Sequence, residues 1–232
     1  MFAPCKIFLS PIQADDSAKE AAGTASKKRE DRFDLTVRED YFAGFQGDKV
    51  ALDRGMKASE AALATNPKHA EAMVWLGGGE VFLSGEYFSK GNFIEGGKMW
   101  QKGIEHMDKA AELEPSNIGV LIPRAAVLMP ASRNLPGPIR DKVLEGVLKN
   151  FVTVYAMQKD ELDKIGEHPL GELRMGLADI YRSLGKLDES KVQLEAVSKE
   201  LPNTEYATEA KKWLDAKPSA RLAHNCIGCH SK

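Results

Sequence analysis

The sequence predicts an all-α protein in which pairs of helices follow one another along the chain. Segments whose apolar residues recur at helical spacing cover most of the sequence. Three of these segments end just before a proline, at Pro67, Pro115 and Pro202. No run of alternating β-branched residues between turns predicts a strand. We therefore expect a domain built only from helical hairpins.

The first residues are expected to lie outside this domain. Residues 1–14 resemble the second half of an export signal, although Pro11 interrupts the apolar stretch, and a disordered N-terminus is the alternative. Residues 15–31 are mostly Ala, Lys, Asp, Glu and Ser, which is typical of a flexible lead-in. Residues 1–31 are thus interpreted as a leader remnant and lead-in, and residues 32–217 as the helical domain.

Two helix pairs are predicted in the first half of the domain. The first pair ends with a helix over residues 49–65, directly before Pro67. The second pair begins at residues 70–76 and ends with a helix over residues 95–113, before Pro115. In both cases the proline follows the last residue of the helical pattern, because proline has no backbone N–H and cannot continue a helix.

The third pair is less regular. Residues 120–128 begin it, and Pro130, Pro136 and Pro138 are expected to break it. A helix over residues 141–155 then completes the pair.

The fourth pair, over residues 171–202, has the clearest pattern, and a short turn at residues 184–187 separates its two helices. A further helix over residues 206–216 closes the domain. The positions that define the fourth pair are Leu177, Ala178, Tyr181, Leu194, Val197 and Pro202.

These spacings resemble the tetratricopeptide (TPR) repeat, and the chain as a whole resembles an α-solenoid of about four TPR-like hairpins with a closing helix. Two positions depart from the family pattern: Arg174 stands where Trp is frequent and Ser190 where Ala is usual. The resemblance implies a concave groove for a protein partner, and a solvated surface is the alternative. In the last repeat the groove would be lined by Glu172, Met175, Asp179 and Arg182.

The second pair is too long for a standard repeat. Pro67 and Pro115 are 48 residues apart, against roughly 34 in a TPR unit. We expect longer helices or an inserted turn around residues 85–92. The glycines at 77–79 fall within a predicted helix and lack the Lys-Ser/Thr of a phosphate loop, so they are interpreted as allowing close helix approach.

Charge and hydropathy argue against a nucleic-acid partner and against a membrane-spanning helix. The formal net charge is −2, so no basic excess predicts a nucleic-acid surface. No apolar run approaches the roughly 20 residues of a membrane-spanning helix.

Trp75, Trp100 and Trp213 fall at core spacings and are interpreted as packing residues. His69 and His106 are interpreted as surface or boundary residues.

The tail, residues 218–232, carries the motif with the most specific chemistry. Cys226-Ile-Gly-Cys229-His230 resembles the attachment site of c-type cytochromes, in which two thiols bond to the haem vinyl groups and the adjacent histidine ligates the iron. The resemblance implies one covalent haem c, with Cys226 and Cys229 binding the cofactor and His230 the metal.

Other interpretations of this motif stay open. Together with His224, the two cysteines and His230 would offer four ligands to a structural zinc ion, although such ligands usually come from two separated elements. A redox dithiol or an inert pair is a third interpretation, although redox dithiols usually open a helix packed on a sheet.

We expect an exported, periplasmic haem protein that transfers electrons or serves as the haem-bearing subunit of a redox assembly. A protein-interaction scaffold with a metal-binding or inert tail is the alternative. An enzyme whose haem has an open sixth coordination site is a third class of function, but no residue indicates a substrate. Only Ser231 and Lys232 follow the motif, so a sixth ligand would come from upstream, with His168 or Met175 as candidates, or from water or another molecule.

Overall fold

A computed structural model describes residues 32–217, Ala220 and Leu222. In that part of the chain the backbone forms nine α-helices and no β-strand. The predicted all-α class is therefore confirmed. The leader remnant and lead-in predicted for residues 1–31 lie outside the described residues.

The helices are joined by short connections. Their bounds are α1 (Asp34–Phe45), α2 (Lys49–Thr65), α3 (Ala70–Ser89), α4 (Phe93–Leu113), α5 (Ile118–Ser132), α6 (Gly137–Gln158), α7 (Glu167–Ser183), α8 (Leu187–Glu200) and α9 (Glu205–Leu214).

Side-chain caps fix where several helices begin. Before α2, Asp48 Oδ1 accepts hydrogen bonds from the backbone N–H groups of Val50 and Ala51, at 3.0 and 2.9 Å. Before α9, Thr204 Oγ1 accepts one from the N–H of Ala207 at 3.2 Å. These donors have no partner within their own helix, and each cap contributes about 1 kcal/mol. Helix α2 has the predicted bounds.

Prolines end some helices but not all. Pro67, Pro115 and Pro202 follow α2, α4 and α8, as predicted. The prediction that Pro130 breaks α5 was wrong, because the helix continues through both Pro123 and Pro130. A proline inside a helix costs about 3 kcal/mol. Burial of apolar side chains on the same helix offsets this cost; they are Val120, Leu121, Ala125, Leu128 and Met129.

Helix α6 also differs from its predicted bounds. It starts at Gly137 rather than at residue 141, and it ends at Gln158 rather than at residue 155. Pro136 is the N-cap and Pro138 lies in the first turn. The first N–H groups of a helix have no intrahelical partner, so a proline there removes no helical hydrogen bond.

The long second hairpin consists of two long helices. Helices α3 and α4 contain 20 and 21 residues, and a short turn with Gly91 at φ 76° joins them. A Cβ atom on Gly77 would lie 2.7 Å from the carbonyl oxygen of Gly103, and one on Gly103 would lie 2.8 Å from that of Gly77. A larger residue at either position would force the two backbones apart. The close helix approach predicted for residues 77–79 is found at Gly77, whereas a Cβ atom on Gly78 or Gly79 would meet only side chains.

The helices pair in chain order. Helices α1 and α2, α3 and α4, α5 and α6, and α7 and α8 pack against each other, and α9 packs on α8. The main core runs from α1 to α7 and includes Trp75, with Trp100 packed against it. A second cluster, between α7, α8 and α9, contains Met175, Ala178, Leu194, Val197, Ala210 and Trp213.

The two departures from the repeat pattern are accommodated by polar contacts. The buried Arg174 guanidinium donates two hydrogen bonds to the Glu200 carboxylate, at 3.0 and 2.7 Å, and one to Gln193 at 2.9 Å. It also lies 5.0 Å from the ring centre of Tyr155. The Ser190 hydroxyl donates to the backbone carbonyl of Ala178 at 2.8 Å. Neither side chain leaves its polar group buried without a partner.

Candidate functional site

The predicted haem-binding residues lie beyond the described part of the chain. Cys226, Cys229 and His230 belong to residues 223–232, which fall outside the described residues. Within the tail the structure describes only Ala220 and Leu222, and Leu222 is four positions before Cys226.

The start of the tail lies against α7. Arg182, near the C-terminal end of that helix, donates hydrogen bonds from Nη2 to the backbone carbonyl oxygens of Lys217, at 2.6 Å, and Ala220, at 3.5 Å. Leu222 packs against the second apolar cluster. These contacts place the backbone of Lys217 and Ala220 beside the C-terminal end of α7.

A cleft of about 460 Å³ opens beside this part of the tail. Its walls come from the end of α5, the start of α6, the end of α7 and the tail itself. We call it the arginine cleft, because three of the described residues that line it are arginines and none is Asp or Glu. Residues that line the cleft include Met129, Arg133, Arg140, Leu144, Arg182 and Leu222.

Each arginine of the cleft has a described partner. Arg133 Nη2 lies 3.2 Å from the buried Asp179 carboxylate, which also accepts a hydrogen bond from Ser183. Arg140 pairs with Asp141 at 2.8 Å, and its side chain is 41 % exposed. Two of the three guanidinium groups thus pair with carboxylates, and Arg182 contacts backbone carbonyl oxygens of the tail.

The groove predicted for the last repeat differs from the structure. Met175 and Asp179 are 0 % and 1 % exposed, so neither offers a surface to a partner. Met175 belongs to the second apolar cluster. Asp179 faces Arg133, as described above. The prediction was wrong for these two residues because α7 is covered on more sides than a single-groove pattern assumes.

The structure separates the two candidates for a sixth haem ligand, because Met175 is buried and His168 is exposed. Met175 is fully buried, so its sulfur would reach a haem only if the second cluster opened. His168 lies 14 positions before Arg182 on α7. At about 1.5 Å per residue this separates it from the tail anchor by roughly 21 Å. Its Nδ1 atom is 2.7 Å from the hydroxyl of Tyr206.

A second polar cluster lies between α3 and α4, and the sequence interpretation missed it. The fully buried Glu80 carboxylate is 2.6 Å from Nδ1 of His106 and 2.8 Å from Nζ of Lys102. The hydrogen bond and charge of Glu80 raise the pKa of Lys102 above its usual value. A single acid inside an apolar helical segment was the available signal, because such an acid needs a partner.

The remaining histidine has a structural role. His69 Nδ1 accepts a hydrogen bond from the backbone N–H of Ala72 at 3.3 Å and so caps α3. His106 is half-buried, as expected for a boundary residue.

Comparison with family models, curated proteins and solved structures found no match to this chain. Within the described residues, no helix combines the length and apolar character that crossing a membrane requires.

Proposed function

We propose that this chain is an exported haem c protein in which TPR-like hairpins, stacked as an α-solenoid, carry one covalent haem on the tail. Cys226 and Cys229 bind the haem and His230 ligates its iron. The protein transfers electrons or serves as the haem-bearing subunit of a redox assembly. The observation that carries the proposal is the contiguous Cys-x-x-Cys-His sequence.

The proposed attachment needs no oxidant. Each cysteine S–H adds across one vinyl C=C bond of the haem, so that sulfur bonds to one carbon and hydrogen to the other. The histidine next to Cys229 then lies beside the iron. The bound haem would supply a one-electron iron couple.

The packing of the helices supports the α-solenoid part of the proposal. Contacts follow chain order. In the first three hairpins the first helices also touch, α1 with α3 and α3 with α5, whereas the third and fourth hairpins meet through α6 and α7. Stacked helical repeats are stabilised by such nearest-neighbour interfaces. A protein partner on this helical body, including a redox partner, is part of the proposal.

Export is proposed on two grounds. Residues 1–14 resemble part of a leader, and c-type cytochromes, which the motif resembles, receive their haem outside the bacterial cytoplasm. Fractionation of the native host should place the mature chain outside the cytoplasm, beginning near Asp15. A cytoplasmic chain that retains residues 1–14 would contradict both export and haem attachment.

The redox proposal is tested by visible spectroscopy on protein purified from the periplasm of a host with haem-attachment machinery. Electron transfer predicts a haem spectrum that changes reversibly on reduction and reoxidation. A colourless protein with bound zinc would instead support the interaction scaffold. Ready binding of carbon monoxide to the reduced haem would support an enzyme with an open sixth site.

A further inference from the structure

We propose that the turn between α3 and α4 is a peripheral membrane-binding tip, which inserts Phe93 and Ile94 into the headgroup region of a phospholipid bilayer. Lys49, Lys90 and Lys98 would contact the lipid phosphates around them. We call these five residues the lipid tip. The inference goes beyond the proposed function and does not require haem attachment, because none of the five residues lies in the tail.

The first observation is the exposure of two adjacent apolar side chains. Phe93 and Ile94 are the first two residues of α4, and they are 70 % and 73 % exposed. These are the two highest values among the large apolar side chains of the described residues. The ring of Phe88 packs over Gly96 instead, where a Cβ atom would lie 2.6 Å from it. Adjacent apolar groups left in water mark a surface that binds another protein or a membrane.

The second observation is that the tip projects from the body. Asn117, the N-cap of α5, donates a hydrogen bond to Glu71 in the first turn of α3 at 3.2 Å. Helices α3 and α5 pack against each other, so they start at about the same level and run in the same direction. Helix α3 contains 20 residues and α5 contains 15. At about 1.5 Å per residue, α3 extends roughly 7–8 Å further.

The third observation is the arrangement of charge around the apolar pair. Glu86 Oε2 lies 3.2 Å from Nζ of Lys49 and 3.4 Å from Nζ of Lys90. Glu95 lies 2.8 Å from Nζ of Lys98. The three lysine side chains are 69 %, 65 % and 69 % exposed, whereas the two glutamates are 29 % and 48 % exposed. The ammonium groups are thus outermost, where they can reach lipid phosphates while their stems contact apolar surface.

The same pattern recurs at the turn between α1 and α2, which contributes Lys49. Val50 follows Lys49 directly and is 67 % exposed. The contact of Lys49 with Glu86 places this turn beside the lipid tip. Asp48 also belongs to the turn, and its Oδ1 accepts hydrogen bonds from the backbone N–H groups of Val50 and Ala51. An exposed apolar side chain next to a lysine therefore stands at both turns.

The size and shape of the tip favour a bilayer over a protein partner. Three apolar side chains on convex turns are too few for a stable protein interface, which buries about 800 Å² on each partner. Binding to a bilayer surface instead increases with the apolar area inserted and with the attraction of cations to anionic lipids. A small projecting tip with outward lysines meets both requirements.

Co-sedimentation of the full-length chain with vesicles of phosphatidylcholine and anionic phosphatidylglycerol tests the inference. We expect the wild type to sediment with them. Phe93→Ser/Ile94→Ser should bind at least about tenfold more weakly, because two large apolar side chains are no longer transferred out of water. Both positions are exposed, so the helical circular dichroism should stay the same. The control Val152→Ser/Val192→Ser removes exposed apolar side chains of α6 and α8 and should bind like the wild type.

Two further measurements address the lysines and the depth of insertion. Lys90→Gln/Lys98→Gln should weaken binding to the anionic vesicles by up to about fivefold per lysine and leave binding to pure phosphatidylcholine vesicles unchanged. Lipids with brominated tails should quench the fluorescence of the indole introduced by Phe93→Trp. They should not quench one introduced on α8 by Val192→Trp.

Three results would overturn the inference. The first is a wild-type chain that stays in the supernatant with both kinds of vesicle. The second is equal binding by the wild type and Phe93→Ser/Ile94→Ser, because another part of the chain would then bind the lipid. The third concerns a second copy of the chain as the occupant. Self-association in analytical ultracentrifugation that Phe93→Ser/Ile94→Ser abolishes, without vesicle binding by the wild type, would assign the tip to a dimer.

Discussion

At the scale of single residues, charged side chains inside this protein are held by specific partners. Arg174 contacts Glu200 and Gln193, and Glu80 contacts Lys102 and His106. In the sequence, Arg174 stands at a position where the tetratricopeptide pattern, which this segment resembles, often has Trp. The sequence does not show the partner, because Glu200 lies 26 positions away on another helix and meets Arg174 only after α7 and α8 have packed.

Arg174→Ala should lower the free energy of unfolding by about 1–3 kcal/mol, since charge-assisted hydrogen bonds and buried packing are lost together. Glu200 is 34 % exposed and can be rehydrated, which limits the loss. Arg54→Ala is the matched control: its ion pair with Asp40 is on the surface, so its loss should cost clearly less than the loss of Arg174. Urea denaturation measures both. Equal costs for the two variants would show that the Arg174 contacts add nothing beyond a surface pair.

At the scale of helices, the sequence predicted helix ends that depend on local capping groups and prolines. It did not predict helix ends that depend on burial of apolar side chains against other helices. Helix α2 begins after the Asp48 cap and ends before Pro67, and both signals stand in the sequence. Helix α5 continues through Pro130 because its apolar face is buried between neighbouring helices. The cost of an interior proline is local, but the compensation comes from tertiary packing.

The crossing of α3 and α4 can be tested with two glycines of the same helix. In Gly103→Ala the new Cβ would meet the carbonyl oxygen of Gly77 and the side chain of Val81, both at 2.8 Å, so the helices must separate. We expect a loss of about 1–3 kcal/mol. Gly97 has no atom within 4 Å of a new Cβ, and Gly97→Ala should stabilise α4 by up to about 1 kcal/mol through helix propensity. Thermal melts of both variants give the comparison; stabilisation by Gly103→Ala would contradict the close crossing.

At the scale of the whole molecule, the helices pair in chain order, and the backbone of Lys217 and Ala220 lies against α7. The motif Cys226-x-x-Cys229-His230 was recognisable from sequence because its chemistry is contiguous. The arginine cleft was not, because three helices and the tail build it together. Met175 shows the same limit: the resemblance to tetratricopeptide repeats predicted an accessible face for it, whereas packing of α8 and α9 buries it.

The body should fold without the tail. Ending the chain after Lys217 removes Leu222 from the edge of the second cluster but leaves Met175, Leu194 and Trp213 packed together. We expect far-ultraviolet circular dichroism of a helical protein and a cooperative melt, with a modest loss of stability. A truncated chain that lacks helical signal would show that residues beyond 217 are part of the core.

The most direct test of covalent haem attachment is the intact mass of the denatured protein, after expression in the periplasm of a host that attaches haem. The account predicts that the wild-type chain carries the mass of one haem. It predicts that Cys226→Ser/Cys229→Ser has the bare polypeptide mass. Cys5, the only cysteine outside the motif, lies before the proposed processing site near Asp15, so the mature chain offers no other thiol for the haem. A bare polypeptide mass for the wild type would contradict the account at its centre.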